Sequence, residues 1–215
     1  MKIRKHRLVG DRIHHAESPN QGGPFGPGAP DTIVLHYTAT ASAEAAVQVL
    51  SDPAREVSAH VVVGRDGQIV QLVAFDTVAW HAGRSVWAGR EGLNRYSLGI
   101  EVDNAGQLDE RDGRFLSWLG REYPPAEVMR AVHRNQTAPS HWHRFTEPQL
   151  REVEELCAGL IEAYSIRQIL GHEEIAPDRK VDPGPAFPLD GLRARLLPTG
   201  PAPASTGEAR RREEG

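Results

Sequence analysis

Cysteine is nearly absent from this chain of 215 residues, which contains Cys157 alone. A single thiol cannot form an internal disulfide, so a reducing compartment is the simplest setting for the protein. Its length fits one domain with appendages, large enough to bury roughly 70% of the surface that the unfolded chain exposes. We therefore expect an apolar core, and no disulfide framework, to stabilise the fold.

Long apolar runs and an excess of positive charge are missing as well. The basic segment 1–15 is followed by no apolar stretch of the kind that a signal peptide needs, and no run approaches the ~20 apolar residues of a transmembrane helix. We expect a cytoplasmic protein without a membrane partner, unless a carrier such as a phage holin or a dedicated secretion system moves it. The net charge of −4 predicts no nucleic-acid partner.

Composition divides the chain into three parts. Residues 1–30 are predicted to form an N-terminal arm and a loop, because 17–30 is rich in glycine and proline. Residues 31–197 are predicted to form the catalytic domain. The segment 198–215 has no apolar residue other than alanine and is predicted to be a disordered tail.

The first half of the domain contains strand signals and one helix signal. Apolar and β-branched residues predict strands over 32–37, 59–63, 68–73 and 97–102. The alanine-rich segment 41–50 favours a helix. Gly64-Arg-Asp-Gly67 separates the second and third strands and is a hairpin signal. Because helix and strand alternate but a hairpin intervenes, we expect an α/β fold: a single domain with a mixed central β-sheet flanked by helices.

The second half begins with a segment that has no sustained period. Residues 104–145 are predicted to be an insertion with one short helix, of the type that often forms a binding loop or lid. A helix follows, with Thr146 as N-cap and Gln149 as its reciprocal partner. Its apolar face includes Cys157, which is predicted to be a core residue. A short helix over 189–197 is predicted to close the domain.

Five polar residues stand out from their surroundings: His36, Glu101, His172, Lys180 and Asp182. His36 lies within an apolar strand, where it is either a hydrogen-bonded core residue or a ligand. Glu101 ends an apolar strand, and an unpaired buried carboxylate costs several kcal/mol. Lys180 and Asp182 project to the same side if their segment is extended, although a surface ion pair is the alternative.

These residue types fit a zinc hydrolase. Two imidazoles and a carboxylate leave the fourth tetrahedral position of zinc open to water, as in catalytic sites. Zinc lowers the pKa of that water to about 7, a glutamate can move its proton, and a lysine can stabilise an oxyanion. The spacing matches no compact motif such as HExxH.

Ordered blocks across residues 30–190 carry a family resemblance. They are Val34-Leu-His-Tyr-Thr38, Ser58-Ala-His60, Gly64-Arg-Asp-Gly67, Ala79-Trp-His-Ala-Gly83, Asn94 with Ser97-Leu-Gly-Ile-Glu101, and Gly171-His172 with Arg179-Lys-Val-Asp-Pro-Gly-Pro185. In these blocks the chain resembles the type 2 N-acetylmuramoyl-L-alanine amidases, which include AmpD-like enzymes, phage lysozyme-type amidases and peptidoglycan recognition proteins. The resemblance implies their amidase type 2 fold.

The resemblance also implies roles for individual residues. His36, His172 and Asp182 fall at the positions of the Zn²⁺ ligands, Glu101 at that of the catalytic glutamate, and Lys180 at that of the lysine that stabilises the transition state. An aspartate as third ligand, within the run Arg-Lys-x-Asp-Pro-Gly-Pro, is closer to the AmpD type than to the recognition proteins.

Four further residues are predicted to bind substrate: Trp80, His81, Arg84 and Asn94. His81 resembles a position that lines the substrate groove of the family, whereas loop packing is the alternative role for Arg84. His60 is expected to support the site and not to bind metal. The pair His141 and His143 could chelate a metal, but the sequence places no third ligand beside it.

The resemblance implies zinc-dependent hydrolysis of the amide bond between N-acetylmuramic acid and L-alanine in muropeptides, in cell-wall recycling. One alternative is a phage-type or secreted lysin that acts on intact peptidoglycan. Another is a peptidoglycan-binding module without activity, although such modules typically lack part of the metal set that is present here.

Overall fold

A computed structural model of the protein describes residues 1–197, which form seventeen β-strands and four α-helices. The strands are β1 (Lys2–Arg4), β2 (Arg7–Val9), β3 (Ile13–His15), β4 (Gln21–Pro24), β5 (Thr32–Tyr37), β6 (Val61–Val63), β7 (Ile69–Gln71), β8 (Thr77–Ala79), β9 (Val86–Trp87), β10 (Arg90–Glu91), β11 (Ser97–Val102), β12 (Gln107–Arg111), β13 (Arg114–Leu116), β14 (Glu122–Tyr123), β15 (Val128–Val132), β16 (Pro139–His143) and β17 (Gln168–Gly171). The helices are α1 (Ala43–Ser51), α2 (Glu147–Ala163), α3 (His172–Ile175) and α4 (Leu189–Leu196). The tail predicted over 198–215 lies outside the described residues.

A six-stranded sheet forms the centre of the molecule, in the order β17-β5-β11-β6-β7-β3. Strands β17, β5, β11 and β6 run parallel, the β6–β7 hairpin is antiparallel, and β3 adds in parallel at the far edge. This confirms the predicted α/β fold with a mixed central sheet. None of the helices formed by residues 1–197 is both long and apolar enough to cross a membrane.

The two faces of the sheet have different partners, because successive side chains of a strand point to opposite sides. In β5, Ile33 and Leu35 join the core cluster that includes residues of α2 and α4. On the other face, Val34 packs with Leu170 of β17 and Ile175 of α3. His36 follows Val34 by two residues and therefore points away from the main core.

Helix α2 begins as the sequence predicts. The hydroxyl of Thr146 accepts a hydrogen bond from the Gln149 backbone N–H, and the Gln149 side chain accepts one from the Thr146 N–H, at 3.3 Å and 3.0 Å. Cys157 is fully buried on the apolar face of this helix, as predicted for a core residue. The predicted strand over 97–102 has the same bounds as β11.

The prediction of an irregular segment with one short helix over 104–145 is wrong. Strands β12 to β16 form a second, antiparallel sheet, in the order β14-β13-β12-β16-β15. Its β12–β13 hairpin turns at Asp112-Gly113, both with positive φ, which is the residue pair that such turns favour. The flanking strand residues Asp109 to Arg111 are charged and exposed, so no apolar alternation reveals the sheet.

The N-terminal segment is also more ordered than an arm and a loop. β3 joins the edge of the central sheet, β4 pairs with β8, and Leu8 is fully buried against the main core. Strands of three or four residues are too short to produce a periodic signal in the sequence. His14 and His15 lie on β3 and are exposed.

Candidate metal centre and its cavity

Three neighbouring parallel strands bring the candidate residues to one edge of the central sheet. His36 is the penultimate residue of β5, Glu101 is its register partner in β11, and His172 directly follows β17. Ligands of open α/β sheets bind at the carboxyl ends of parallel strands. The topology therefore explains why residues 136 positions apart, His36 and His172, come into contact.

His36, His172 and Asp182 form a nearly equilateral triangle of ligand atoms. The Nδ1 atoms of the two histidines are 2.9 Å apart, and each lies 3.0 Å from Oδ2 of Asp182. A tetrahedral zinc ion with bonds of 2.0–2.1 Å places its ligand atoms about 3.3 Å apart, so the triangle fits this ion with little adjustment. Within residues 1–197, this is the one cluster of three His, Cys, Asp or Glu residues whose ligand atoms converge.

The protonation states of two of these residues suit metal binding. Burial, reinforced by the neighbouring His172, lowers the pKa of His36 to about 4, so this imidazole is neutral at pH 7. Burial alone would raise the pKa of Asp182, but the adjacent imidazoles of His172 and His36 hold it well below its usual range. A neutral imidazole and an ionised carboxylate are the forms in which these side chains bind metal.

Glu101 lies beside this triangle without a partner of its own. Its Oε2 is shielded from solvent and has no hydrogen-bond partner among the described residues. Burial raises the pKa of Glu101 well above its usual range, and the charge of Asp182 adds to this effect, whereas Lys180 opposes it. An orphaned buried carboxylate oxygen needs a functional or structural reason, and proximity to a metal centre supplies a functional one.

A cavity of about 420 Å³ opens onto the triangle. All five of the predicted catalytic and metal-binding residues line it: His36, Glu101, His172, Lys180 and Asp182. Lys180 and Asp182 thus reach the same cavity, and Val181 between them lines it as well, so the alternation expected of an extended segment is not what brings the two together. Lys180 and Glu101 therefore line one cavity together with the three residues of the triangle.

The four predicted substrate-binding residues separate into two pairs. Trp80 and His81 line the cavity, whereas Asn94 and Arg84 do not. The side-chain oxygen of Asn94 accepts hydrogen bonds from the backbone N–H groups of His81 and Ala82. Arg84 is exposed, and its carbonyl accepts a hydrogen bond from another arginine. Asn94 therefore contacts the loop that carries His81.

The predicted site residues leave out several others that line the cavity, among them Tyr37, Thr38 and Arg179. Each of these three lies in a block that carries the family resemblance, one or two positions from a predicted site residue. This closeness in sequence was the signal that could have identified them as cavity-lining residues. Burial, reinforced by the charge of Asp182, raises the pKa of Tyr37 above its usual range, so its phenol remains a hydrogen-bond donor. The guanidinium of Arg179 donates to the carbonyl of Arg84.

Segments that connect strands of the second sheet contact the site at two places. Near α3, the Nε2 atom of His133 lies 2.7 Å from the carboxylate of Glu173, whose backbone N–H donates to the carbonyl of Asp182. At the cavity rim, the indole N–H of Trp118 donates to the carbonyl of Ala39 over 2.7 Å. The region predicted as an insertion therefore supports both the ligand loop and the cavity wall.

The remaining histidines lie apart from the triangle. His141 and His143 are on β16 of the second sheet and do not join a metal-binding group within the described chain. His60 is fully buried, and its ring accepts a hydrogen bond from the N–H of Gly99 and bonds the carbonyl of Thr77. Its nitrogens therefore bond backbone groups and contact none of the three residues of the triangle.

Comparison with known proteins identifies the family. A profile described as N-acetylmuramoyl-L-alanine amidase, Amidase_2, matches residues 26–185. The chain belongs to this family. It is 36% identical over 143 residues to the 1,6-anhydro-N-acetylmuramyl-L-alanine amidase AmpD of Escherichia coli, and 30% identical over 169 residues to the N-acetylmuramoyl-L-alanine amidase AmiD of the same organism.

These alignments cover part of each protein. They span 66% and 74% of this Amidase_2 chain, and 58% and 51% of AmpD and AmiD respectively. The chain thus matches little more than half the length of these curated relatives.

Solved structures show the same fold. A selenomethionine derivative of AmpD superposes with a TM-score of 0.61 and 25% identity, covering 92% of this chain and 99% of AmpD. AmiD from Escherichia coli, in complex with the substrate anhydro-N-acetylmuramic acid-L-Ala-D-gamma-Glu-L-Lys, superposes with a TM-score of 0.59 and 28% identity, covering 89% of this chain and 62% of AmiD.

Proposed function

We propose that this protein is a zinc-dependent amidase that hydrolyses the amide bond between N-acetylmuramic acid and L-alanine in muropeptides. The observation that carries the proposal is the triangle of His36, His172 and Asp182 beside the unpartnered carboxyl of Glu101. Membership of the Amidase_2 family supports the reaction, and the names of its AmpD relatives support a muropeptide substrate.

His36, His172 and Asp182 would hold the zinc ion, with two nitrogens and one oxygen as ligands. Three protein ligands leave a coordination position open, which is the arrangement of catalytic zinc and not of structural zinc. When bound, zinc supplies a Lewis acid that polarises a carbonyl group and lowers the pKa of water.

Glu101 would move the proton. Its carboxylate takes a proton from the water whose oxygen attacks the carbonyl carbon of the lactyl group, and it returns that proton to the nitrogen of L-alanine as the C–N bond breaks. The products are a free carboxyl group on the sugar and a free amino group on the peptide. Lys180 would stabilise the negative charge that develops on the carbonyl oxygen, because this residue lines the same cavity as the proposed ligands.

The proposal extends to soluble cell-wall fragments as substrates, and to recycling in the cytoplasm. Its support is the 1,6-anhydro sugar in the name of the AmpD relatives, and the anhydro-N-acetylmuramic acid peptide that is the substrate in the AmiD complex. Action on intact peptidoglycan, as a lysin, is the competing outcome in the experiment that follows.

The decisive experiment offers the purified, zinc-loaded protein two substrates in parallel, intact sacculi and soluble anhydro-muropeptides. Mass analysis of the products is expected to show free stem peptide from the soluble substrate, with little release from sacculi. Glu101→Gln serves as the inactive control. Release from sacculi alone would establish the lysin activity instead, and equal product from the control and the unaltered protein would overturn the amidase assignment.

A further inference from the structure

The two ring nitrogens of His81 have different partners, which identifies its tautomer. Nε2 lies 3.2 Å from the carbonyl oxygen of Ser97, and a carbonyl can only accept a hydrogen bond. Nε2 therefore carries the proton. In the neutral ring Nδ1 is then bare, and it accepts a hydrogen bond from Nε2 of His36, 3.0 Å away.

This contact determines which nitrogen of His36 is free for a metal. Since Nε2 of His36 donates to His81, its Nδ1 carries a lone pair, and that atom is the corner of the ligand triangle. His172 is arranged in the same way, because its Nε2 lies 3.2 Å from the carbonyl of Ala82 and its Nδ1 faces the triangle. Adjacent residues, 81 and 82, thus orient both imidazoles.

We propose that His81-Ala82 is the positioning element of the metal centre, with the His81 ring orienting His36 and the Ala82 carbonyl orienting His172. His81 acts through His36, since both of its nitrogens are engaged within the protein and the residue is 9% exposed. This inference rests on the proposed zinc centre. It assigns His81 the role of orienting the metal ligand His36, and this role replaces the predicted contact with substrate.

Three features hold the element in place. The side-chain oxygen of Asn94 accepts hydrogen bonds from the backbone N–H groups of His81 and Ala82, at 3.0 Å and 2.7 Å. The guanidinium of Arg179 donates to the Ala82 carbonyl as well. The His81 ring lies so close to Gly99 that a Cβ at that position would come within 2.3 Å of it. A ligand-orienting group that is fixed on several sides pre-organises a metal site.

Substitutions at position 81 test the proposal through zinc affinity, measured by competition with a chelator. His81→Asn places an amide oxygen where Nδ1 stands and keeps the acceptor for His36, whereas His81→Gln places its amide where Nε2 stands and loses that acceptor. We expect His81→Gln and His81→Ala to weaken zinc binding by about 10- to 100-fold, and His81→Asn to recover most of this loss. The visible absorption spectrum of bound Co²⁺ is expected to change more in His81→Gln and His81→Ala than in His81→Asn.

His60→Ala is the matched control. This neighbouring histidine is fully buried, its ring centroid is 6.0 Å from that of His81, and its nitrogens bond only backbone groups. We expect the control to lower the unfolding temperature while zinc affinity stays unchanged. Equal zinc affinity in all His81 variants, or the same loss in the control, would overturn the positioning role. Failure of the unaltered protein to bind zinc would overturn the metal centre as well.

Discussion

Glu101 and His36 are register partners on the neighbouring parallel strands β11 and β5. Their spacing is therefore set by the backbone hydrogen bonds of the central sheet, and no mobile loop intervenes between the proposed proton carrier and the proposed ligand. Side chains on strands are held more accurately than side chains on loops, which suits a site whose chemistry depends on separations of a few ångströms.

Replacing the carboxyl of Glu101 tests its role as proton carrier. Glu101→Gln keeps the shape of the side chain but cannot accept a proton, so we expect turnover to fall by about 100- to 10,000-fold. Zinc content should remain near that of the unaltered protein, because Glu101 is not one of the three converging ligands. Steady-state kinetics and elemental analysis of the same preparation check both statements. A fully active variant would show that another group moves the proton.

Removing a ligand tests the metal centre directly. His172→Ala leaves one imidazole and one carboxylate, His36 and Asp182, which is too few for tight zinc binding. We expect the purified variant to lose both its zinc and its activity, while circular dichroism confirms that it folds. Substitution of His141, which lies outside the cluster, is the control and should leave zinc content unchanged. Stoichiometric zinc in His172→Ala would exclude this residue as a ligand.

Lys180 is predicted to act on the transition state and not on substrate binding. Lys180→Met removes the ammonium while keeping most of the chain length, and we expect kcat to fall by about 100- to 1,000-fold with a small change in KM. Lys180→Arg retains the charge and should recover part of the rate. If KM rose while kcat stayed constant, the lysine would instead contribute to ground-state binding.

His60 is predicted to make stability depend on pH. Burial lowers its pKa to about 4, against 6.5 for an exposed histidine, so the unfolded state binds more protons between these values. The neutral His60 ring therefore contributes about 3 kcal/mol to the free energy of unfolding. This contribution is fully present above pH 6.5 and is lost as the pH falls towards 4.

The measurement is urea unfolding at pH 7 and at pH 4.5 for the unaltered protein and for His60→Gln. The variant is expected to lose less free energy of unfolding on acidification, because the amide side chain that replaces the imidazole does not titrate. An identical loss in both proteins would show that acid instability arises elsewhere.

Trp118 is predicted to support the cavity rim. It is 71% exposed, yet its indole N–H is bonded to the carbonyl of Ala39, a residue that lines the cavity. Loss of such a bond costs about 0.5–1.5 kcal/mol, so we expect Trp118→Phe to raise KM by two- to tenfold with kcat and zinc content unchanged. Leu119→Ala, at the neighbouring exposed position, is the control. Equal kinetics for Trp118→Phe and the unaltered protein would contradict the prediction.

The strands of the central sheet were predictable from their apolar and β-branched runs. The candidate site residues stood out from their surroundings, and the family resemblance implied their roles. His36 and Glu101 interrupt apolar strands, and the block around Lys180 and Asp182 is conspicuous in sequence. The second sheet was not predictable from periodicity, because its strands are short and carry charged residues on exposed positions. The Asp112-Gly113 pair was its one clear local signal.

The contacts of Asn94 and His81 could not be predicted either, for a different reason. Sequence blocks show that a residue belongs to a site, but they do not show whether its polar atoms face the cavity or another side chain. That distinction depends on which groups the fold places within about 3 Å of the polar atoms of the side chain. For His81 these are the carbonyl of Ser97 and the ring of His36, from different strands.

The ligand triangle joins chain segments that are far apart in sequence, since His36 is 136 residues from His172 and 146 from Asp182. An ion bonded to all three would therefore form a reversible cross-link between the start and the end of the domain. Closing so long a loop considerably restricts the conformations of the unfolded chain. The zinc content of a purified preparation would then report the fraction of molecules that are fully folded. Chelation would offer a mild way to loosen the domain without altering a single residue.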